Sequence, residues 1–327
     1  MEVQLISTWF AQLIVPANSF NWTCNTVGSV MHLSLANSNL NGTLDELDFT
    51  SLLNLTLLNL DYNLCMDPFL QTSQLCRNSP HWTLATMALL ILCHQSGDLS
   101  ELNDLRLRNN NLVGAIPYQL SNLWQVHHFD LGSNQLEIQT TTSLFVWSVS
   151  HLSLYLNYLT LEFPTISAEL YKFMYLDLSL NELTGPIPAS LTNLVNLEYL
   201  NLSYNSFQGP FPAYPTKLSR LRYLRLDNNL IYGSTLKFWQ DKNNLQAMNL
   251  TNNHLSGEIP SSMGSMIYLE SLHLNGNIFI GEFPSFLRIA RILSFLILGI
   301  IDSMELSCMT GWEFFIVKSF STKIKYV

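Results

Sequence analysis

Leucines recur along the chain in a fixed pattern, L-x-x-L-x-L-x-x-N-x-L. Its clearest copy contains Leu102, Leu105, Leu107, Asn110 and Leu112. The asparagine of the pattern returns at successive intervals of 24, 23, 24, 24, 24, 24 and 24 residues, at Asn134, Asn157, Asn181, Asn205, Asn229, Asn253 and Asn277. One unit of this length cannot bury its leucines alone, so neighbouring units are expected to stack and share a continuous core.

Each unit contains a short alternating stretch, x-x-L-x-L-x-x, which predicts a strand with its leucines on one face. Stacked units would place these strands side by side, about 4.7–4.9 Å apart, in a parallel sheet. The asparagine lies where the chain turns off the strand. There its amide can bond backbone groups of adjacent turns, which would each cost about 1–3 kcal/mol if they were buried unpaired. We call this residue the ladder asparagine.

The pattern extends beyond these eight copies in both directions. Upstream, Asn63 is a further ladder asparagine, and Ser38 takes the same place in the copy before it. A worn copy between Asn63 and Asn110 has Met87 at the ladder position, and a last copy downstream has Ile301 there. The sequence therefore predicts an α/β solenoid of about 11 repeats of 24 residues, with a parallel concave sheet and short 3-10 or irregular convex segments.

The same pattern predicts the organisation of the chain. Residues 1–29 form a partial N-terminal cap region, 30–287 form the repeat array, and 288–327 hold a degenerate terminal repeat and a tail. The apolar run Ile292–Ile301 is about half as long as the roughly 20 residues that span a bilayer. We therefore expect no membrane span within this chain. We also identify no clear signal peptide, because Glu2 stands where a secretory signal has basic residues.

Composition narrows the classes of partner and site. Only 12% of the residues are charged and the formal net charge is −9. This argues against binding of nucleic acid or anionic lipid, since both attract clustered Lys and Arg. The five cysteines include no C-x-x-C pair, so no metal site is expected. Sequons of the form N-x-[ST], which predict glycosylation, occur at Asn21, Asn41, Asn54, Asn201 and Asn249.

The second half of the repeat identifies a family. The motif L-x-G-x-[IF]-P, with Phe for Leu in two copies, occupies residues 112–117, 183–188, 207–212, 255–260 and 279–284. Together with the leucine pattern, it resembles the plant extracellular leucine-rich repeats of receptor-like kinases, receptor-like proteins and polygalacturonase inhibitors. The segment Asn21–Cys24 resembles the N-terminal cap of that family, which normally has a second cysteine before the tryptophan. This chain lacks it, so we expect Cys24 to be unpaired.

Binding residues are expected among the strand side chains that the leucines leave exposed, two, four and six positions before the ladder asparagine. The candidates are Arg106, Arg108, His128, Asp130, His151, Tyr155, Tyr175, Asp177, Tyr199, Tyr223, Arg225 and Asp227. Among them, histidines and tyrosines form a ridge across consecutive strands, at residues 128, 151, 175, 199 and 223. Such rings serve as contact residues at interfaces. Alternatively, they stack on one another and only stabilise the sheet.

The resemblance implies an extracellular or cell-surface protein that recognises a peptide or protein through its concave face, in signalling or defence. A co-receptor of the same repeat family is a further expected partner. Two alternatives remain open at this point: a secreted inhibitor similar to the polygalacturonase inhibitors, and a truncated receptor fragment without independent function. No catalytic constellation is recognisable, so we expect neither an enzyme nor a cofactor.

Overall fold

The chain folds into two compact units, Met1–Thr184 and Gly185–Val327, which are described separately. The computed structural model describes residues 21–42, 52–65, 101–116, 120, 123–137, 149–160, 162–163, 166, 172–211, 218–234, 244–260, 263, 266–281 and 295–297. Within these ranges, no helix is long and apolar enough to cross a membrane.

The first unit is built on one main sheet. Its strands in chain order are β1 Asn21–Cys24, β2 Val30–Ser34, β3 Asn41–Gly42, β4 Leu57–Asn59, β5 Leu64–Cys65, β6 Asp104–Arg106, β7 Val113–Ala115, β8 His128–Asp130, β9 Gln135–Glu137, β10 His151–Ser153 and β11 Tyr175–Asp177. Strand β1 pairs antiparallel with β2 and so covers that edge of the main sheet. From β2 the sheet continues in parallel through β4, β6, β8, β10 and β11.

The second unit has the same construction. Its strands are β12 Tyr199–Asn201, β13 Gln208–Pro210, β14 Tyr223–Arg225, β15 Leu230–Ser234, β16 Ala247–Asn249, β17 His254–Glu258, β18 Ser271–His273, β19 Ile278–Ile280 and β20 Phe295–Ile297. Strands β12, β14, β16, β18 and β20 form the parallel main sheet. A 3-10 helix, Ala189–Asn193, follows Pro188 on the connecting side.

Further parallel strands lie where the sequence predicted irregular convex segments. In the first unit they are the pairs β3–β5 and β7–β9. In the second unit β13, β15, β17 and β19 form a four-stranded sheet. These strands coincide with the L-x-G-x-[IF]-P segments or their equivalents, because successive copies of the motif lie one turn apart and pair through their backbones.

The leucines of the pattern form the core, as predicted. In β6 and β10, for example, Leu105 and Leu152 are fully buried. Phe173, Phe207 and Phe279 are the largest side chains that are almost fully buried. The parallel-sheet solenoid predicted from the sequence is therefore confirmed.

The ladder asparagines form hydrogen bonds with backbone groups of their own turn and of the neighbouring turn, also as predicted. Asn134 is typical, because its Nδ2 donates to the carbonyls of Leu107, Leu131 and Gly132 at 2.9, 3.0 and 3.2 Å. Its Oδ1 accepts from the backbone N–H of Leu112 at 3.1 Å. One buried side chain thus binds backbone groups in two consecutive turns, which explains why the pattern requires a carboxamide.

The repeat count differs slightly from the prediction, at the worn copy with Met87. Strand β4 pairs directly with β6, with Leu58 opposite Leu105. The Nδ2 of Asn110 also donates to the carbonyl of Leu60 at 2.9 Å, across 50 positions of sequence. Strands β4 and β6 are therefore direct neighbours in the main sheet; Met87 itself is outside the described residues. The last copy does add a strand, because β20 pairs with β18; its Ile301 is also outside the described residues.

Candidate ligand-binding face

The exposed face of the main sheet in the first unit carries the predicted binding residues in aligned rows. Strand register places Asp104, His128, His151 and Tyr175 opposite one another on consecutive strands. Arg106 and Asp130 form a second row in the same register. All of these side chains are half-buried, since the leucines between them point into the core. We call this surface the main-sheet face of the first unit.

The predicted aromatic ridge is present within each unit. In the first unit the rings of His128 and His151 are 5.8 Å apart, and those of His151 and Tyr175 are 5.9 Å apart and stacked. In the second unit the rings of Tyr199 and Tyr223 are 6.1 Å apart. The rings therefore do stabilise the sheet through cross-strand contacts. They also leave ring surface exposed, most of all at Tyr223, which is 38% exposed.

Asp104 organises one end of the row. Its carboxylate accepts from Nη2 of Arg106 at 2.6 Å and lies 2.7 Å from Nδ1 of His128. Burial opposes ionisation of this group. The hydrogen bonds from His128 and Arg106 outweigh burial and lower the pKa of Asp104 to about 2. Both basic side chains are thus held in place by one carboxylate.

The low pKa of Asp104 predicts an acid-dependent loss of stability. The pKa of Asp104 is about 2 in the folded protein, against 3.8 for an unperturbed aspartate. The ionised group therefore adds roughly 2 kcal/mol to the free energy of unfolding above about pH 4. This contribution is lost as the pH falls through 2. In urea unfolding, Asp104→Asn should have a free energy of unfolding lower than that of the parent protein by this amount at pH 6. The difference should shrink towards zero near pH 2. The exposed Glu101→Gln is the control. A deficit independent of pH would contradict the assignment.

Arg108 lies at the centre of a second cluster of charged side chains. Its Nη2 is 3.7 Å from Oδ2 of Asp61, its Nε is 4.0 Å from Oδ2 of Asp130, and its guanidinium lies 4.8 Å from the ring centre of Tyr62. The Nε is buried and has no hydrogen-bond partner among the described residues. Burial raises the pKa of Asp61, although Arg108 partly offsets this effect.

Asp61, Tyr62 and Asp104 also belong to this site, although none of them is among the candidates predicted above. Asp61 and Asp104 stand two and six positions before their ladder asparagines, at the same offsets as the predicted residues. The offsets could therefore have identified both aspartates. Nothing in the sequence shows that Tyr62 contacts Arg108, because the two residues meet only through the pairing of β4 with β6.

Tyr155 lies across the face over Gly132. A Cβ at Gly132 would be 2.2 Å from Cε1 of the Tyr155 ring, so only glycine leaves room for the ring in this position. Burial raises the pKa of the Tyr155 hydroxyl, and the nearby Arg108 partly counteracts this. Tyr155 therefore lies beside the cluster of charged side chains around Arg108.

Two predicted contact residues are buried rather than exposed. Asp177 is 7% exposed, and its Oδ1 accepts from the backbone N–H and hydroxyl of Ser179 at 3.0 and 2.6 Å. Asp227 is 5% exposed. Aspartate and asparagine bond readily to backbone N–H groups two positions ahead. This preference turns Asp177 along the strand instead of towards solvent.

The same local bond affects two predicted glycosylation sites. Asn201 is 5% exposed, and its Oδ1 accepts from the N–H and hydroxyl of Ser203. Asn249 is half-buried and accepts from the N–H of Thr251 at 3.1 Å. Asn21 is exposed in β1, whereas Asn54 is half-buried. The side chain of Asn41 is outside the described part.

The main sheet of the second unit carries Arg225 and His273 beside the buried Asp227. Arg225 is exposed. Burial raises the pKa of Asp227, and an Nδ2–H of Asn228 donates to its Oδ2 at 2.9 Å. Burial, followed by repulsion from Arg225, lowers the pKa of His273. This surface is less charged than its counterpart in the first unit.

Neither metal ligation nor disulfide bonding is seen in the described ranges. No three His, Cys, Asp or Glu side chains there lie close enough together to hold a metal ion. Cys24 is free and exposed on β1, as its missing partner predicted. What the main-sheet faces offer a ligand is therefore hydrogen-bonding groups, charge and aromatic surface.

Comparisons with known proteins agree with this architecture. A search of curated protein sequences found no match. A family model described as Leucine Rich Repeat matches residues 172–194, 196–218 and 244–266. Among solved structures, the Arabidopsis receptor kinase HAESA, in complex with the peptide hormone IDA and the co-receptor SERK1, has a TM-score of 0.71 at 24% identity. The match covers 91% of this chain and 50% of that one.

Two other solved structures are similar. A TDR receptor has a TM-score of 0.67 at 23% identity, over 81% of this chain and 50% of its own. A plant ice-binding protein has a TM-score of 0.68 at 19% identity, over 94% of this chain and 97% of its own. This chain spans about half the length of the two receptor chains. Three segments of this chain thus match the leucine-rich repeat, and the chain has the fold of the plant receptor ectodomains that its sequence resembles.

Proposed function

We propose that the main-sheet face of the first unit binds a peptide or protein ligand, and that the protein acts as an extracellular recognition module in signalling or defence. The observation that carries this proposal is the aligned row of Asp104, His128, His151 and Tyr175. It combines partly exposed rings with fixed charges. Rings of this kind supply contact area at low entropic cost, and charges supply specificity.

The nature of the similar structures supports this class of ligand. The HAESA structure is a complex with a peptide hormone and a co-receptor. By analogy we propose a peptide as the first partner and a co-receptor of the same repeat family as the second. Glycosylation at the sequons would accompany the extracellular location; among the described sites, Asn21 is the most accessible.

The fold alone does not require a receptor. A chain with this fold over 97% of its length is described as a plant ice-binding protein. A free-standing binding protein, such as an inhibitor of a secreted polygalacturonase, is therefore the second candidate. It would present the same face to an enzyme instead of a peptide.

Two probes test the proposal. The first is a displayed library of random peptides, and the second is purified polygalacturonase. Either probe should bind the full chain, and His151→Ala and Tyr175→Ala should each weaken binding about tenfold, or 1.4 kcal/mol. Tyr232→Ala is the matched control, because Tyr232 is an exposed tyrosine on the smaller sheet of the second unit. Absence of binding to both probes, or binding unaffected by both ridge variants, would contradict the proposal.

A further inference from the structure

A groove of about 360 Å³ lies beside the ladder asparagines of the first unit, away from the main-sheet face. Two rows of side chains line it, one position before and one position after consecutive ladder asparagines: Asn109, Ser133 and Leu156, and Asn111, Gln135 and Tyr158. The ladder asparagines between these rows form its floor. Since consecutive turns are about 4.8 Å apart, each row extends over about 10 Å. We call this feature the carboxamide groove.

The backbone of these turns is already engaged. The N–H groups of Ser133, Gln135 and Tyr158 donate to neighbouring carbonyls at 2.7, 2.8 and 2.9 Å. The floor asparagines use their amides on the backbone, as described for Asn134. A peptide that binds by strand addition needs free main-chain groups. These three residues offer it no free N–H, which favours a ligand that is recognised through side chains.

Apart from Leu156, the side chains that the structure describes in the groove are polar and uncharged. Asn111 and Gln135 each have two N–H donors and one acceptor oxygen. Ser133 donates to Oδ1 of Asn109 at 3.1 Å, which orients the amide of Asn109 and leaves its N–H donors for a ligand. At one end, Tyr158 and Leu156 are 52% and 46% exposed. Among the described residues that line the groove there is no Asp, Glu, Lys, Arg or His.

We propose that the carboxamide groove binds a neutral oligosaccharide. Hydroxyl groups donate and accept at once, as do the carboxamides of Asn111 and Gln135. The exposed ring of Tyr158 offers a flat apolar surface for the C–H face of a sugar ring. A phosphate or nucleic acid would require basic residues, and a hard cation would require carboxylates. The described lining of the groove contains neither type of residue.

The corresponding positions of the second unit have different chemistry. The residues that directly follow its ladder asparagines 205, 229, 253 and 277 are Ser206, Leu230, His254 and Ile278, and all four are exposed. None of these four residues is a carboxamide, although Asn228 and Asn252 stand one position before their ladder asparagines. The row that contains Asn111 and Gln135 therefore distinguishes the proposed site. The proposal is independent of ligand binding at the main-sheet face, because none of its residues belongs to that face.

The proposal is tested by measuring binding of the full chain to an array of neutral plant-wall oligosaccharides. The array includes fragments of glucans, mannans, xylans and arabinans. At least one of them should bind, and saturation-transfer NMR should detect the same ligand in solution. Tyr158→Ala should weaken that binding about tenfold, and Gln135→Ala about threefold to tenfold. Tyr158→Leu, which keeps the bulk but removes the ring, gives a second reading if the alanine variant folds poorly. Tyr232→Ala should bind normally.

Three outcomes would overturn the proposal. The first is no binding of any neutral oligosaccharide at millimolar concentration. The second is binding that survives both Tyr158→Ala and Gln135→Ala. The third is stronger binding of tetragalacturonate, an acidic probe, or of a peptide at the same groove. The ridge variants His151→Ala and Tyr175→Ala should weaken peptide binding and leave oligosaccharide binding unchanged. The two proposals can therefore fail separately.

Discussion

Replacing Asn157 by leucine is expected to lower the free energy of unfolding by about 2–4 kcal/mol. Asn157 is 5% exposed, and its Nδ2 donates to the carbonyls of Leu131 and Leu154 at 3.1 Å each. Its Oδ1 accepts from the N–H of Leu136 at 2.9 Å. Leucine has a similar size but no polar atom, so it leaves the N–H of Leu136 buried without this acceptor. The carbonyls of Leu131 and Leu154 lose one of two side-chain donors and keep those of Asn134 and Asn181. Urea unfolding followed by circular dichroism measures the loss.

Asn111→Leu is the matched control for this experiment. Asn111 lies one position after a ladder asparagine and is only half-buried. The same substitution there removes a side chain that makes no backbone bond to another described turn, and a change within about 0.5 kcal/mol is expected. Equal losses at the two positions would show that polarity in general, and not the ladder, stabilises the turns.

Two buried aspartates at equivalent positions should respond oppositely to removal. Asp61 and Asp227 both stand two positions before a ladder asparagine and are both 5% exposed. Oδ1 of Asp61 accepts from the backbone N–H of Arg108 in the next turn at 2.8 Å, whereas Oδ1 of Asp227 is buried without a hydrogen-bond partner among the described residues. We expect Asp61→Ala to cost about 2 kcal/mol, and Asp227→Ala to be neutral or to stabilise by about 1 kcal/mol.

The physical reason lies in the next turn. The N–H of Thr251 is equivalent to that of Arg108, but Oδ1 of Asn249 already accepts from it at 3.1 Å. At the corresponding position before Arg108 stands Arg106, which cannot accept a hydrogen bond. Thermal and urea unfolding of both variants at pH 7 measure the difference. A similar loss in both, or a larger loss for Asp227→Ala, would contradict this account.

The positions of these aspartates also show how far the site could be predicted. The repeat offsets placed Arg106, His128, His151 and Tyr175 on the main-sheet face, and the structure has them there in register. The offsets could not show that Asp177 turns along its strand to Ser179. That choice depends on which residue stands two positions ahead and whether it offers a donor, which is a local competition between hydrogen bonds.

The smaller sheets were not predicted either. Their strands, such as Gln208–Pro210 and Val113–Ala115, are short and include glycine or proline, and neither residue favours a strand by itself. They form because the solenoid places equivalent backbone segments side by side at a spacing that allows pairing. The carboxamide groove likewise depends on three adjacent turns, and no single repeat contains it.

The sequence by itself determined which side chains are interior and where each turn ends. Leucines at fixed offsets must be buried together, and a buried turn requires a carboxamide to bond its backbone, so Leu105 and Asn110 carry that information locally. Only the tertiary structure decided which turns are neighbours. The period placed a turn at Met87, yet β4 pairs with β6, and this pairing brings Asp61 to Arg108 across 47 positions. A period records the length of a turn, whereas adjacency depends on which strands pair through their backbones.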